Sequence, residues 1–150
     1  QRFSKGDTSA VSIKADYALV CDSVREEKNG KLIFVGVYTD DIVVGRYPYD
    51  MSLQVWLDLS LQDSPSAPEN FSIRIRQRAE TDILLGELDA TLERLDPDKP
   101  LGPAHIALPL ISFHVQQRCE FIVELKSGDG NWKTILQKPV YCISDSDHSA

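Results

Sequence analysis

The chain has three cysteines, one methionine and no apolar run near the ~18 residues that a membrane-crossing helix requires. Three scattered cysteines are too few for a disulfide scaffold. Basic residues are also scarce: sixteen Lys and Arg stand against twenty-three Asp and Glu, a formal charge of −7. With that balance and no Lys/Arg-dense stretch, the chain lacks the electrostatic footprint of a nucleic-acid binder. A sustained i, i+3, i+4 apolar stripe of helical length is missing too. Residues 83–95 come nearest, through Leu84, Leu85, Leu88, Leu92 and Leu95, but Gly86 and the match to the preceding strand favour β structure. What remains is an ordinary globular composition of 150 residues, 42% hydrophobic, 26% charged and 8% aromatic. A chain of this size buries about 68–70% of its unfolded surface, enough for one domain with its own core.

The body, residues 15–143, reads as strands almost throughout. Tyr17–Val24 and Leu32–Tyr38 flank Asn29-Gly30, a pair that tolerates the positive φ of a type I′ hairpin turn. Ile42–Val44 is a short apolar stretch, followed by a loop with Gly45 and Pro48. From Leu53 to Leu61 the alternation is strict, with Leu53, Val55, Leu57, Leu59 and Leu61 on one face and Trp56 among polar residues on the other. That places Trp56 either beneath a loop or in the open for a purpose.

Phe71, Ile73 and Ile75 alternate with Ser72, Arg74 and Arg76. An antiparallel pairing with residues 83–92 sets Phe71 against Ala90, Ile73 against Leu88, Arg74 against Glu87 and Arg78 against Ile83. Three prolines between Pro97 and Pro103 end any ladder there. Ile106, Leu108 and Leu110 reopen a strand in which Pro109 marks an edge or bulge. Phe121, Val123 and Leu125 form the next strand, Ser127–Asn131 a turn, and Trp132–Leu136 its return. Pro139 is expected to interrupt before Val140–Ile143 closes the body. Eight or nine short strands with regular turn signals predict an all-β, two-sheet β-sandwich of immunoglobulin-like or C2-like shape.

Residues 1–14 carry Phe3, Val11 and Ile13 among Ser, Gly and charge, without the apolar core of a signal peptide. They read as a flexible N-terminal arm or leader, with an extra strand or partner-binding arm as the alternative; residues 144–150 read as a polar tail. Secretion with upstream processing is compatible with this start. A cytoplasmic setting fits free cysteines that pack as small hydrophobes, although Cys119 and Cys142 lie on strands expected to pair and a bridge between them stays open.

Ala18, Leu19, Cys21, Asp22 and Arg25, then Gly30, Lys31 and Leu32, then Gly36, Val37 and Tyr38 form an opening signature within residues 15–42. This opening resembles a family of small uncharacterised bacterial β-proteins. The resemblance implies a bacterial, single-domain β-sandwich and carries no activity. Asp22 and Arg25 lie three residues apart on one strand and project to opposite faces, so each is expected to anchor an adjoining loop rather than pair with the other.

Catalytic chemistry has little to stand on. The histidines are His105, His114 and His148; Cys21 and Cys119 are the thiols that could neighbour one, and a Cys/His hydrolase is the reading they would support. No nucleophile elbow, zinc-ligand spacing or phosphate-binding glycine loop is present, and no cofactor is expected. Asp40, Asp41, Asp63, Asp96, Asp98 and Asp129 fall in predicted loops, as calcium ligands of a C2-like module would, but Asp also favours turns for its own hydrogen bonding.

The expected function is therefore non-enzymatic binding of a protein partner or a second copy. Trp56, Tyr47 and Tyr49 are its candidate aromatic anchors. Arg74, Arg76 and Arg78 form a candidate acidic-partner row, against the alternative of a cross-strand ion ladder with Glu87, Asp89 and Glu93.

Overall fold

The computed structural model describes residues 13–61, 69–92 and 104–144. Eleven strands lie within them. The first four are β1 (Ile13–Cys21), β2 (Ser23–Glu26), β3 (Leu32–Val35) and β4 (Ile42–Val44). The long strands β5 (Tyr49–Leu61), β6 (Glu69–Arg78) and β7 (Asp82–Leu92) follow. The last four are β8 (Ala104–Ala107), β9 (Ile111–Val115), β10 (Cys119–Ser127) and β11 (Lys133–Cys142).

β5 is the spine of the first sheet. One side pairs with β1 and the other with β8 and then β9, all antiparallel. The second sheet runs β4-β11-β10-β6-β7, antiparallel except for the parallel contact of β4 with β11. The two sheets meet on one apolar core. Leu53, Val55, Leu57 and Leu59 of β5 supply one wall; Phe71, Ile73 and Ile75 of β6 with Phe121, Val123 and Leu125 of β10 supply the other. Both sets are the period-two residues of their strands, as expected for sheets buried on one face. The chain is thus an all-β sandwich. β2 and β3 form a separate hairpin outside it.

Several local departures have identifiable causes. The expected strand Tyr17–Val24 breaks at Asp22, so β1 stays with β5 while β2 turns off into the hairpin. β1 also begins at Ile13, so Ile13 and Lys14 belong to the sheet rather than to a leading arm, and Ile13 donates its N–H to Ser127 Oγ at 2.6 Å. The hairpin reversal is wider than a two-residue type I′ turn. Gly30, at φ +83°, donates to the Glu27 carbonyl, and the Glu27 N–H returns to Lys31.

The expected β6–β7 register holds from Phe71–Ala90 to Ile75–Gly86, then slips by one residue between Ile75 and Arg76. Arg78 consequently faces Asp82 and not Ile83. A bulge of this kind leaves one residue of β7 without an opposite number. A similar phase change at Pro109 separates β8 from β9: the inward set switches from Ile106 and Leu108 to Ile111, Phe113 and Val115, and Leu110 turns outward. β11, in contrast, runs straight through Pro139. β4 flanks it only at Val140–Cys142, so among the described residues position 139 has a strand neighbour on one side, where proline is tolerated.

Candidate functional site

The arginine row is tied down on the outer face of the second sheet. Arg74 and Arg76 donate from Nε to the same Glu124 oxygen, at 2.7 and 2.8 Å, and Arg76 also reaches Asp82 at 3.0 Å. Glu124 is 7% exposed although it points away from the core. Burial pushes its carboxyl up; the hydrogen bonds and charges of Arg76 and Arg74 outweigh that and hold it below the usual glutamate range. The Arg74 guanidinium lies 4.1 Å over the Trp132 ring. Arg74 does stand opposite Glu87 in the ladder, but its ion partner comes from β10, on its other side. Arg78 is exposed at the end of β6.

Trp56 lies beneath the β2–β3 hairpin, at 8% exposure. It packs with Leu19, Cys21, Val24 and Phe34 in a second small cluster on the outer face of the first sheet. Phe34 meets its ring edge-on at 5.1 Å, and His105 stacks on it at 5.4 Å while its Nδ1 pairs with Asp58. Gln54 fastens the hairpin: its Oε1 accepts from Val24 N–H at 2.8 Å, and its Nε2 donates to the Leu108 carbonyl at 2.9 Å. Tyr47 is half-buried and accepts the Cys142 N–H on its hydroxyl at 2.9 Å; Tyr49 is exposed. The three aromatics singled out from the sequence therefore do not form one surface.

The signature residues have a structural role. Asp22 sits over Gly36, and its Oδ1 accepts the Tyr38 hydroxyl at 3.3 Å. Burial, the Asp22 charge and that hydrogen bond push the Tyr38 phenol up to about 12. Arg25 is exposed, opposite Ile33 in the hairpin.

The chemistry-bearing residues stay apart. Asp41 accepts the Tyr141 hydroxyl at 2.9 Å near the end of β11, whereas Asp129 lies in the turn before its start; Asp40 is exposed beside Asp41. Asp63, Asp96, Asp98 and His148 lie outside the described residues. Among the described residues, no three His, Cys, Asp or Glu side chains gather as metal ligands would. The three thiols are free and buried, so Cys119 and Cys142 are not bridged. Burial pushes the Cys21 and Cys119 thiols up, away from the thiolate. Cys119 lies in the core against Gln77, while His114 is exposed and pairs through Nδ1 with Asp50, so they do not form a nucleophile–base pair.

The feature that the sequence pattern left unmarked is the outer strand β7. Among the described residues it pairs only with β6. Ile83 and Leu84 are 50% and 56% exposed on it, and across the seam between the sheets Leu110 is 60% exposed. Beneath this edge lies a cavity of about 370 Å³ lined by Ile73, Ile75, Leu85, Leu88, Leu108 and Ile111. It continues toward a second of about 290 Å³ lined by Gln77, Thr81, Ile83, Ser112 and His114. The consecutive apolar triplet Ile83-Leu84-Leu85 was the available signal, since a strand buried on one face has no inward place for all three.

No helix among the described residues is long and apolar enough to cross a membrane. A comparison with curated proteins finds no match for the chain. A family of unknown function, DUF6941, matches residues 16–137, which include most of the opening signature segment and reach into β11, and the chain belongs to that family.

Proposed function

We propose that this protein is a non-enzymatic protein-binding module that takes its partner at the β7 edge. The carrying observation is the exposed apolar trio Ile83, Leu84 and Leu110 beside a strand that, among the described residues, is paired on one side alone. Such an edge presents open N–H and C=O groups, and apolar side chains beside it supply the burial that main-chain pairing alone lacks. The strand order supports an immunoglobulin-like build. β1-β5-β8/β9 corresponds to the A-B-E side of such a sandwich, and β11-β10-β6-β7 to its G-F-C-C′ side. The three free thiols support a cytoplasmic setting.

The test compares proteins captured by the immobilised chain with those captured by an Ile83→Lys/Leu110→Lys double variant. Both positions are exposed, so the variant is expected to melt at the wild-type temperature. A partner held by the wild type and lost by the variant supports the reading. The same partners on both, or none on either, count against it.

A further inference from the structure

We infer that the partner of the β7 edge is an extended segment in which apolar residues alternate with Lys or Arg, added to the sheet as one more strand. This rests on the edge-binding reading above and specifies its chemistry.

The two faces of β7 differ sharply. Toward the core, Leu85, Leu88 and Ala90 pack on the apolar cluster, and Leu92 is buried. Toward solvent stand Glu87 and Asp89, with Leu84 and Asp82 on the same face beyond the bulge. An added strand inherits this division, because successive side chains of a strand point to opposite faces. Every second residue of the incoming segment overhangs the seam, above the cavity between Leu85, Leu88, Leu108 and Ile111. Gly86 lies on this line, and a side chain there would meet nothing within 4 Å, so backbone and incoming side chain can approach closely. These residues are selected to be apolar.

The intervening residues face Glu87 and Asp89. Asp89 accepts a hydrogen bond from Ser72 at 2.6 Å and has no cationic partner among the described residues. Arg74, directly opposite Glu87, is drawn to Glu124 on its other side, which leaves Glu87 without an ion pair among the described residues. From Ala79 to Leu92 the chain carries four acidic residues and no Lys or Arg. Opposite charges across a strand pair are favourable and like charges are not. A second copy offering its own β7 would set acids against acids, whereas Lys or Arg at alternate positions would meet them.

The experiment uses the full chain, labelled for backbone amide NMR, and three synthetic peptides of about seven residues, enough to span the exposed edge. One alternates Val with Lys, one alternates Val with Glu, and one has the Val/Lys composition in two blocks. The alternating Val/Lys peptide is expected to shift amides of β7 and of residues 108–112, and to bind about tenfold more tightly than either other peptide. Glu87→Lys/Asp89→Lys, a change of two exposed side chains, is expected to remove that preference.

Equal binding of the Val/Lys and Val/Glu peptides at β7 would overturn the basic-partner inference and leave edge binding standing. If no peptide shifts β7 amides, edge binding falls with it. If the block peptide matches the alternating one, attraction to the acidic chain is unspecific and the inference fails. A chain that sediments as a dimer, with β7 amides already protected, would assign the edge to a second copy and overturn it as well.

Discussion

Gly36 lies directly beneath the carboxylate of Asp22: a Cβ at position 36 would stand 2.7 Å from Asp22 Cγ, and the backbone there has φ +67°. The two residues occupy the two crossings between the sandwich and the β2–β3 hairpin. Asp22 N–H bonds to the Val35 carbonyl at 2.9 Å, and Tyr38 N–H bonds back to Val20 at 3.0 Å. Gly36→Ala is therefore expected to destabilise the chain by about 2 kcal/mol or more, from the left-handed backbone and the collision together. Asp22→Ala in the same chain should recover about 1 kcal/mol of that loss, because it removes the collision and leaves the backbone strain. Urea denaturation of the four proteins of the cycle measures it. Strict additivity would show that the two residues do not press on one another.

Trp56→Ala should destabilise the chain by about 3 kcal/mol, the ordinary cost of truncating a buried aromatic. The loss is expected to concentrate in the hairpin, since Phe34 and Val24 pack on that ring. Hydrogen exchange should accelerate at residues 23–35 more than in β10. Uniform acceleration would mean that the second cluster is not a separate unit.

Glu124→Gln should cost about 1–3 kcal/mol at neutral pH, as expected when charge-assisted hydrogen bonds to two partly exposed guanidinium groups are lost. The pH dependence has a definite sign. Glu124 has a folded pKa below its unfolded value, so its contribution is fully present above the ordinary glutamate range and is lost as pH falls through the lower folded value. The stability gap between wild type and variant should therefore close on acidification. A gap unchanged down to acid pH would show that the carboxylate charge is not what holds Arg74 and Arg76.

Alkylation should be slow at all three cysteines in the folded chain and complete after unfolding, since all three are buried and burial pushes Cys21 and Cys119 away from the thiolate. Counting modified thiols by mass before and after guanidinium treatment checks this. One fast-labelling thiol in the native protein would reopen nucleophilic chemistry at that position.

Much of the framework was legible because it is local. The alternation of Leu53 to Leu59 located the core face of β5, and cross-strand matching found the Phe71–Ala90 register. Two kinds of information were not local. Single-residue phase changes reverse which side a residue faces without altering its type: the slip at Ile75/Arg76 has no marker in the sequence, whereas Pro109 marked an edge or bulge without showing that Leu110 turns outward. The other gap concerned what lies above a surface. Trp56 on a polar-looking face is covered only because the hairpin beginning at Ser23 folds over it, and Arg74 turns to Glu124 only because β10 happens to be its second neighbour. The β7 edge is the converse case: pairing with β6 satisfies the pattern, and the triplet Ile83-Leu84-Leu85 is the local mark of an apolar surplus that this pairing leaves over.

The parallel contact between β4 and β11 has a consequence for a chain emerging from the ribosome. Residues 42–44 are made early, yet their strand partner, Val140–Cys142, comes almost a hundred residues later. Until then β4 has no sheet to join, and β10 exposes the side that β11 will cover. Contacts this distant in sequence delay folding until their last member exists. A message truncated before Lys133 would yield a chain with two open edges flanking an incomplete core, a form prone to sticking to its neighbours. Completion of β11, more than any event in the middle of the chain, is the step that closes this sheet.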